Sequence, residues 1–315
     1  MTRSRHNAAS SLVAVDVFAG CGGLSLGLQR TEHIDVALAV DSWEPAVRTY
    51  QQNFSHTVLQ QDLTYVRHAT WAAQGVHPDL IAGGPPCQDF SSAGTRTEKD
   101  KANLTLSFAQ LVTAVRPEFF LMENVDRARL SHTYTKTRRH FARHGYGLSE
   151  VVVDASLCGV PQRRRRLFIL GRADSSNGWA DEQLHAMEST TRTTMRNYFG
   201  SELTFDHYYR HPRNYNRRGV FSVDEAAPTV RGVSRPVPPG YRQHALDTAD
   251  PTTVQPLSSF WRSRVQTFPA DFTWTGNRSA VDQQIGNAVP VDLAQRVGEA
   301  LLTAAGHSQV SRSAA

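Results

Sequence analysis

Short apolar runs alternate with helix-spaced segments through the first half of the chain. LVAVDVF (12–18), DVALAVD (35–41), TVLQQD (57–62), DLIAGG (79–84) and EFFLMEN (118–124) have the length of buried strands, and SEVVVDA (149–155) and RLFILGR (166–172) continue the series. Between the fourth and fifth runs, Leu104, Phe108, Leu111, Val112 and Val115 recur at helical spacing. Strands alternating with helices predict crossover units, and so an α/β, doubly wound, mostly parallel Rossmann-like sheet. Near residue 174 the pattern lapses. From DSSNGWADEQ to about residue 256 polar residues, arginines and prolines dominate, which predicts a smaller, loop-rich unit. Helical order returns in VDLAQRVGEALLTAA, where Leu293, Val297, Ala300 and Leu301 share a face. The expected division is a larger domain over 1–173, a smaller one over 174–275, and a C-terminal helical segment, 276–315, returning to the first.

Composition adds little to this but excludes several classes. At 315 residues, with 40% hydrophobic and 20% charged residues, the chain reads as an ordinary globular protein with a sizeable core. Its three cysteines, Cys21, Cys87 and Cys158, are too few and too scattered for a disulfide framework or a zinc site, so a reducing compartment and no metal are expected. The N-terminus MTRSRHNAASS has no apolar core of a signal peptide, and no run approaches membrane-spanning length. The net charge of +5 is modest, but its distribution is not even. TRRHFARH (137–144), QRRRR (162–166) and YYRHPRNYNRR (208–218) are basic clusters, two of them interleaved with aromatics, and together they point to a nucleic acid.

Candidate chemistry lies at the predicted strand ends. DVFAGCGGLSLG (16–27) follows the first strand, and its glycines permit a close backbone approach to a ligand. Asp41 ends the second strand, where a carboxylate can accept hydrogen bonds from ribose hydroxyls, and Asp62 ends the third. A nucleoside pocket at the carboxyl edge of the sheet fits this trio; so does a dinucleotide site, although the glycine pattern is an imperfect one. GGPPCQDFS (83–91) ends the fourth strand. Pro85 and Pro86 fix their own φ angles and bias the preceding residues toward extended geometry. The turn is either a stiff mount for a nucleophilic Cys87 or a tight strand-to-loop connection with an incidental thiol.

Taken in order, DVFAGCGGLSLG, AVDSWEPAVRTYQQNF, QDL, GGPPCQDFS, LMENV, CGVPQRRRRLFILG and QIGNAVPVDLA resemble the motifs of the DNA (cytosine-5)-methyltransferases, especially bacterial modification enzymes. The likeness runs from about residue 12 to 303, with a divergent stretch from about 174 to 256. It implies S-adenosylmethionine as methyl donor, with S-adenosylhomocysteine as product. By position, Phe18 would pack on the adenine, with Gly20 and Gly22 in the approach loop. Asp41 would bind the ribose, Asp62 and Leu63 the adenine edge, and Gly84, Leu104, Asn287 and Val289 the remainder. Cys87 would be the nucleophile and Glu123 its partner on a flipped cytosine, with Arg164 and Arg166 fixing the pyrimidine and Glu123. The variable stretch would recognise the target, with Arg213, Arg217, Arg218, Thr229 and Arg231 as DNA contacts.

The same resemblance implies a cytoplasmic, DNA-associated, monomeric enzyme acting on double-stranded DNA, with a cognate restriction endonuclease cutting the same site. Three rival readings carry less of the pattern: an RNA (tRNA) methyltransferase of the same family, a catalytically inactive DNA-binding relative, and a nicotinamide-dependent oxidoreductase. The sequence departs from the family in three places. Asp89 adds negative charge near Cys87, Ser42 stands where a bulky residue is frequent, with Trp43 one place on, and Phe260–Trp261 replace a usual Arg-Glu pair.

Overall fold

The computed structural model describes residues 11–86, 104–214 and 217–307. Each apolar run becomes a strand: β1 (Leu12–Val17), β2 (Ile34–Asp41), β3 (Thr57–Gln60), β4 (Leu80–Gly83) and β5 (Phe119–Val125). β6 (Tyr146–Asp154), the two-residue β7 (Gln162–Arg163) and β8 (Arg165–Ala173) follow. Seven of them form one sheet in the order β3-β2-β1-β4-β5-β8-β6. The pairings from β3 to β5 are parallel, whereas β8 runs antiparallel to both of its neighbours. The order reverses between β1 and β4, and ligands of such sheets bind at that point, beyond the strand carboxyl ends.

The sheet is covered on both faces, as near-continuous apolar strands require. On one side Ala14, Val36, Leu80, Leu121, Phe168 and Leu170 pack with α1 (Gly23–Gln29) and the C-terminal helix Val291–Ala304. On the other, Val15, Leu38, Ile81, Phe120, Met122 and Ile169 meet the apolar residues of three helices, α3 (Val66–Val76), α4 (Leu104–Val115) and α5 (His132–Arg143), whereas α2 (Glu44–Asn53) buries Tyr50 with Ala19 and Ala39. Alternate residues of one strand thus serve opposite cores, the period of two that a pleated strand dictates.

The smaller unit has its own core of Met195, Phe199, Tyr208, Phe221, Val223, Val230, Val265 and Ile285. It contains the hairpin of β9 (His207–Tyr209) and β10 (Val220–Ser222). β11 (Ala227–Pro228) then pairs in parallel with β7 and so ties this unit to the larger one. The expected boundary at 174 comes too early. Ala180, Leu184 and Met187 are buried in the larger core, so the segment up to about residue 189 wraps back onto the sheet. At the expected departure Phe260–Trp261, Trp261 meets Phe199 and Phe205 edge-on, each at 5.3 Å, an aromatic contact in place of a charged one.

A buried polar chain fastens α1 to β1. Ser25 Oγ donates to Asp16 Oδ2 (2.5 Å), Tyr50 Oη donates to Ser25 Oγ (2.7 Å), and His56 Nε2 lies 2.6 Å from Tyr50 Oη. Asp16 is fully buried, and burial, with Asp41 nearby, raises its carboxyl to about 7. A folded-state value above the unfolded one means the folded protein holds the extra proton. Stability from this group is therefore full below about pH 4 and lost as pH rises to 7, a fall of up to about 4 kcal/mol. Asp16→Asn should remove that slope in denaturant titrations taken from pH 4 to pH 8; parallel curves for the two proteins would contradict it.

Candidate active site

The carboxyl ends of β1 to β5 open into one cleft of about 380 Å³, within the size range of small-ligand sites. β1 delivers Phe18 and Gly20, β2 Asp41, and the residues after β3 supply Asp62 and Leu63. Gly84 follows β4, Glu123 stands on β5, and Leu104 opens α4. Asn287 and Val289 complete the wall from the connection between the last two helices. Of the residues expected to hold a nucleoside, Gly22 alone does not line the cleft. It sits at φ 96° where α1 begins, and a Cβ there would lie 2.3 Å from the Phe54 ring, so its service is to the turn.

The loop after β1 is held by the residue that ends β2. Asp41 Oδ2 accepts from Gly20 N and Oδ1 from Trp43 N, each at 2.8 Å. Burial raises the Asp41 carboxyl, and these backbone donors oppose the shift. Both oxygens are thereby oriented, with lone pairs left for a ligand. Phe18 adopts φ 59°, rare for a side chain of this size and of the kind found at ligand clamps. Asp62 Oδ1 caps its own turn by accepting from Thr64 N (2.8 Å). Trp43 and Ser42 both face the cleft, so the aromatic displaced by one place still reaches it.

Across the cleft, Glu123 and Arg166 form an ion pair, Nε to Oε1 at 2.7 Å. The topology explains the meeting. Because β8 is antiparallel to β5, its first residues lie at the same edge as the last residues of β5, and Val125 is the register partner of Arg166. Gly84 matters here as well, since a Cβ on it would lie 3.1 Å from Glu123 Oε2 and crowd the carboxylate. Asn124, the next residue, was not among the expected site residues. Its Nδ2 donates to Pro85 O (3.0 Å) and its Oδ1 accepts from Val125 N (2.8 Å), which ties the double-proline turn to β5.

The run Gln162–Arg166 alternates in role with the strand period. Gln162, Arg164 and Arg166 point inward, while Arg163 pairs with Glu225 and Arg165 with Asp126. Arg164, expected beside Arg166 as a group acting on the pyrimidine, is 2% exposed and committed elsewhere. Its Nη1 donates to Val230 O (3.2 Å) and its Nη2 to Gly286 O (3.1 Å) and Ala288 O (2.9 Å). Burial, with Arg166 beside it, lowers its proton affinity. It is a brace between the units that also borders the cleft.

Cys87 and Asp89 lie outside the described residues; Pro86, directly before Cys87 in sequence, lines the cleft. The two described cysteines are poor candidates for a nucleophile. Cys21 and Cys158 are buried, and burial pushes each thiol up to about 12, so both remain protonated near neutral pH. Among the described residues no cluster of His, Cys, Asp and Glu could hold a metal, and no helix is long and apolar enough to cross a membrane.

The residues expected to contact a target divide. Arg213 and Arg217 are exposed and make no ion pair among the described residues, and Arg231 is half-buried, its Nη2 donating to His211 O. Arg218 is instead held by Glu225 and lies 4.4 Å over the Phe221 ring. Thr229 Oγ1 donates to Arg163 O (2.7 Å). Both side chains are thus engaged within the protein, Arg218 inside the smaller unit and Thr229 across to the larger one.

Residues 12–303 match the family described as C-5 cytosine-specific DNA methylase. The chain is 49% identical over 281 residues to the Type II methyltransferase M.HgiDI of Herpetosiphon aurantiacus, covering 89% of this chain and 91% of that protein. To the Type II methyltransferase M.HindV of Haemophilus influenzae it is 45% identical over 291 residues, covering 91% and 95%. Among solved structures, the S. pombe Dnmt2 methyltransferase superposes with a TM-score of 0.71 at 18% identity, over 93% of this chain and 99% of that one. A prophage-encoded putative DNA modification methyltransferase from E. coli gives 0.68 at 22% identity, over 94% and 100%. At such identities these two likenesses speak to the fold alone.

Proposed function

The chain belongs to the C-5 cytosine-specific DNA methylase family, and on that premise we propose that it methylates C5 of a cytosine turned out of a specific double-stranded DNA site, through a covalent bond from Cys87 to C6. It is a DNA (cytosine-5)-methyltransferase, similar over most of its length to Type II methyltransferases. The setting we propose is a restriction-modification system in a bacterial cytoplasm, with the enzyme acting as a monomer beside an endonuclease of the same specificity. The observation that carries the catalytic reading is the Glu123–Arg166 pair at the same cleft edge as the turn leading to Cys87.

The cleft suits S-adenosylmethionine. Phe18, Trp43, Leu63, Leu104 and Val289 offer apolar surface to an adenine, and Asp41 presents oriented acceptors to ribose hydroxyls. Gln284 Oε1, buried in the same wall without a hydrogen-bond partner among the described residues, is a further acceptor for a polar donor. When bound, this group supplies a methyl made electrophilic by its sulfonium. Asp41→Ala should weaken its binding roughly 10- to 100-fold, the worth of hydrogen bonds to a charged acceptor, with little change in DNA affinity. Calorimetry would show this, and an unchanged affinity would remove Asp41 from the site.

The residues explain the reaction at the base. C5 of cytosine is a poor nucleophile because aromatic delocalisation holds its electrons. Addition of the Cys87 thiolate at C6 breaks that delocalisation and makes C5 enamine-like, able to take the methyl; covalent catalysis replaces one hard step with easier ones. Glu123 delivers a proton or hydrogen bond to N3 as the thiolate adds, drawing electrons from C6. Arg166 fixes the Glu123 carboxyl through Nε. Loss of the C5 proton to a base and departure of the Cys87 sulfur then restore the aromatic ring. A cytosine inside a duplex is out of reach of any such thiol, so it must leave the stack, as the targets of methyltransferases do.

Bisulfite sequencing of DNA from cells expressing the protein tests this reading. One recurrent site converted to 5-methylcytosine is expected. Unmodified DNA, with methyl transfer into tRNA instead, would replace it with the RNA reading.

A further inference from the structure

A second concavity, of about 50 Å³, opens on the smaller unit and shares no lining residue with the catalytic cleft. Val230, Val233 and Leu257 give it apolar lining, and Arg210, Arg231 and Arg235 give it charge. We propose that it holds a single phosphodiester of the DNA backbone, clamped by Arg210 and Arg235 with Arg231 beside them. This rests on the reading that the chain acts on duplex DNA, and names a contact by which it would do so.

Charge is the first support. Four other arginines of this unit are neutralised, Arg196 by Asp206 and Asp224, Arg218 by Glu225, Arg262 by Asp282 and Arg264 by Glu202, whereas the exposed Arg217 and Arg242 are simply solvated. Arg210, Arg231 and Arg235 have no carboxylate partner among the described residues, and neither does Arg213 close to them. Burial, with repulsion from Arg231 and Arg213, lowers the proton affinity of Arg210 to about 10, and burial, with repulsion from Arg213 and Arg235, lowers that of Arg231. An anion among them would relieve that repulsion. Several guanidinium groups lining one small cavity match the concentrated charge of a phosphate, whereas a base edge is read by one side chain at a time.

Geometry is the second. Arg210 is held through Nη2 by Thr229 O (2.8 Å), and Arg231 by His211 O. Each guanidinium is thus fixed while keeping other N–H donors, of which it has five. Tyr208 also lines the cavity. Its ring adds to the apolar lining.

Position is the third. Arg231 and Gly232 run directly against the wall of the catalytic cleft, where a Cβ on Gly286 would lie 2.1 Å from Gly232 N. A phosphate held beside Arg231 would therefore sit at a set distance from the cytosine engaged by Glu123.

The test is the salt dependence of affinity for a mixed-sequence DNA duplex, with site preference scored separately by methylation of a library. Neutralising one phosphate contributes about 0.9 to the slope of log K against log salt. The double variant R210Q/R235Q should flatten the slope by about that amount and leave the ranking of sites unchanged. R235Q alone must flatten it too, and because its side chain is exposed and unpaired, this arm stands even where the double variant folds poorly. An unchanged slope in the folded variants, or an altered ranking of sites, would overturn the proposal, the latter in favour of base reading. Binding is measured without methyl transfer, so a wild type that transfers no methyl group to DNA counts against the enzyme reading alone.

Discussion

Replacing Cys87 by serine should abolish methyl transfer while S-adenosylmethionine binding stays close to wild type. The two functions come from different strand ends: Phe18, Asp41 and Leu63 belong to the ends of β1 to β3, whereas Cys87 follows the turn after β4. Serine keeps the shape, but a hydroxyl is far less acidic than a thiol, whose pKa of about 8.5 already leaves only a few per cent ionised at pH 7. No second thiol can substitute, since burial keeps Cys21 and Cys158 protonated. DNA carrying 5-fluorocytosine makes the same point directly. Fluorine at C5 cannot be lost as a proton is, so the wild type should gain the mass of a covalent adduct and Cys87→Ser should not. An unchanged wild-type mass under active conditions would sink the covalent route.

Glu123→Gln should lower kcat by about 10²- to 10⁴-fold, the range for losing a positioned general acid, with DNA affinity little altered. Glutamine fits the space beside Gly84 and can still accept from Arg166 Nε, so the arrangement survives while the transferable proton is gone. Single-turnover kinetics would separate the chemical step from binding and product release. A rate within about tenfold of wild type would relieve Glu123 of the role.

The sheet was legible because each strand is an apolar run of strand length, and the ends of those runs carried Asp41, Asp62 and Glu123 into one cleft. The direction of β8 was not, since a strand buried on both faces has the same composition whichever way it runs. That reversal is what brings Arg166 to Glu123. The bracing bonds of Arg164 were illegible for a related reason: in a run of four arginines the residue type does not say which carbonyls each will meet, and the two-residue period decides it only once the register is known. Ala180, Leu184 and Met187 were placed in the wrong unit because three apolar residues in a polar stretch give too little periodicity to declare a core. Asn124 could have been found by asking what holds Pro85, which has a carbonyl to satisfy.

The seam between the two units is sewn through main-chain atoms. Ala227 N donates to Pro161 O, Val230 N to Gln162 Oε1, and Arg164 donates to the carbonyl of Val230. Such stitches hold a segment by what every residue shares. The side chains it carries are left open to change, so substitutions there can alter which site is chosen without loosening the seam. A lineage could in this way revise the text it reads while its catalytic machinery stays aimed at the same place.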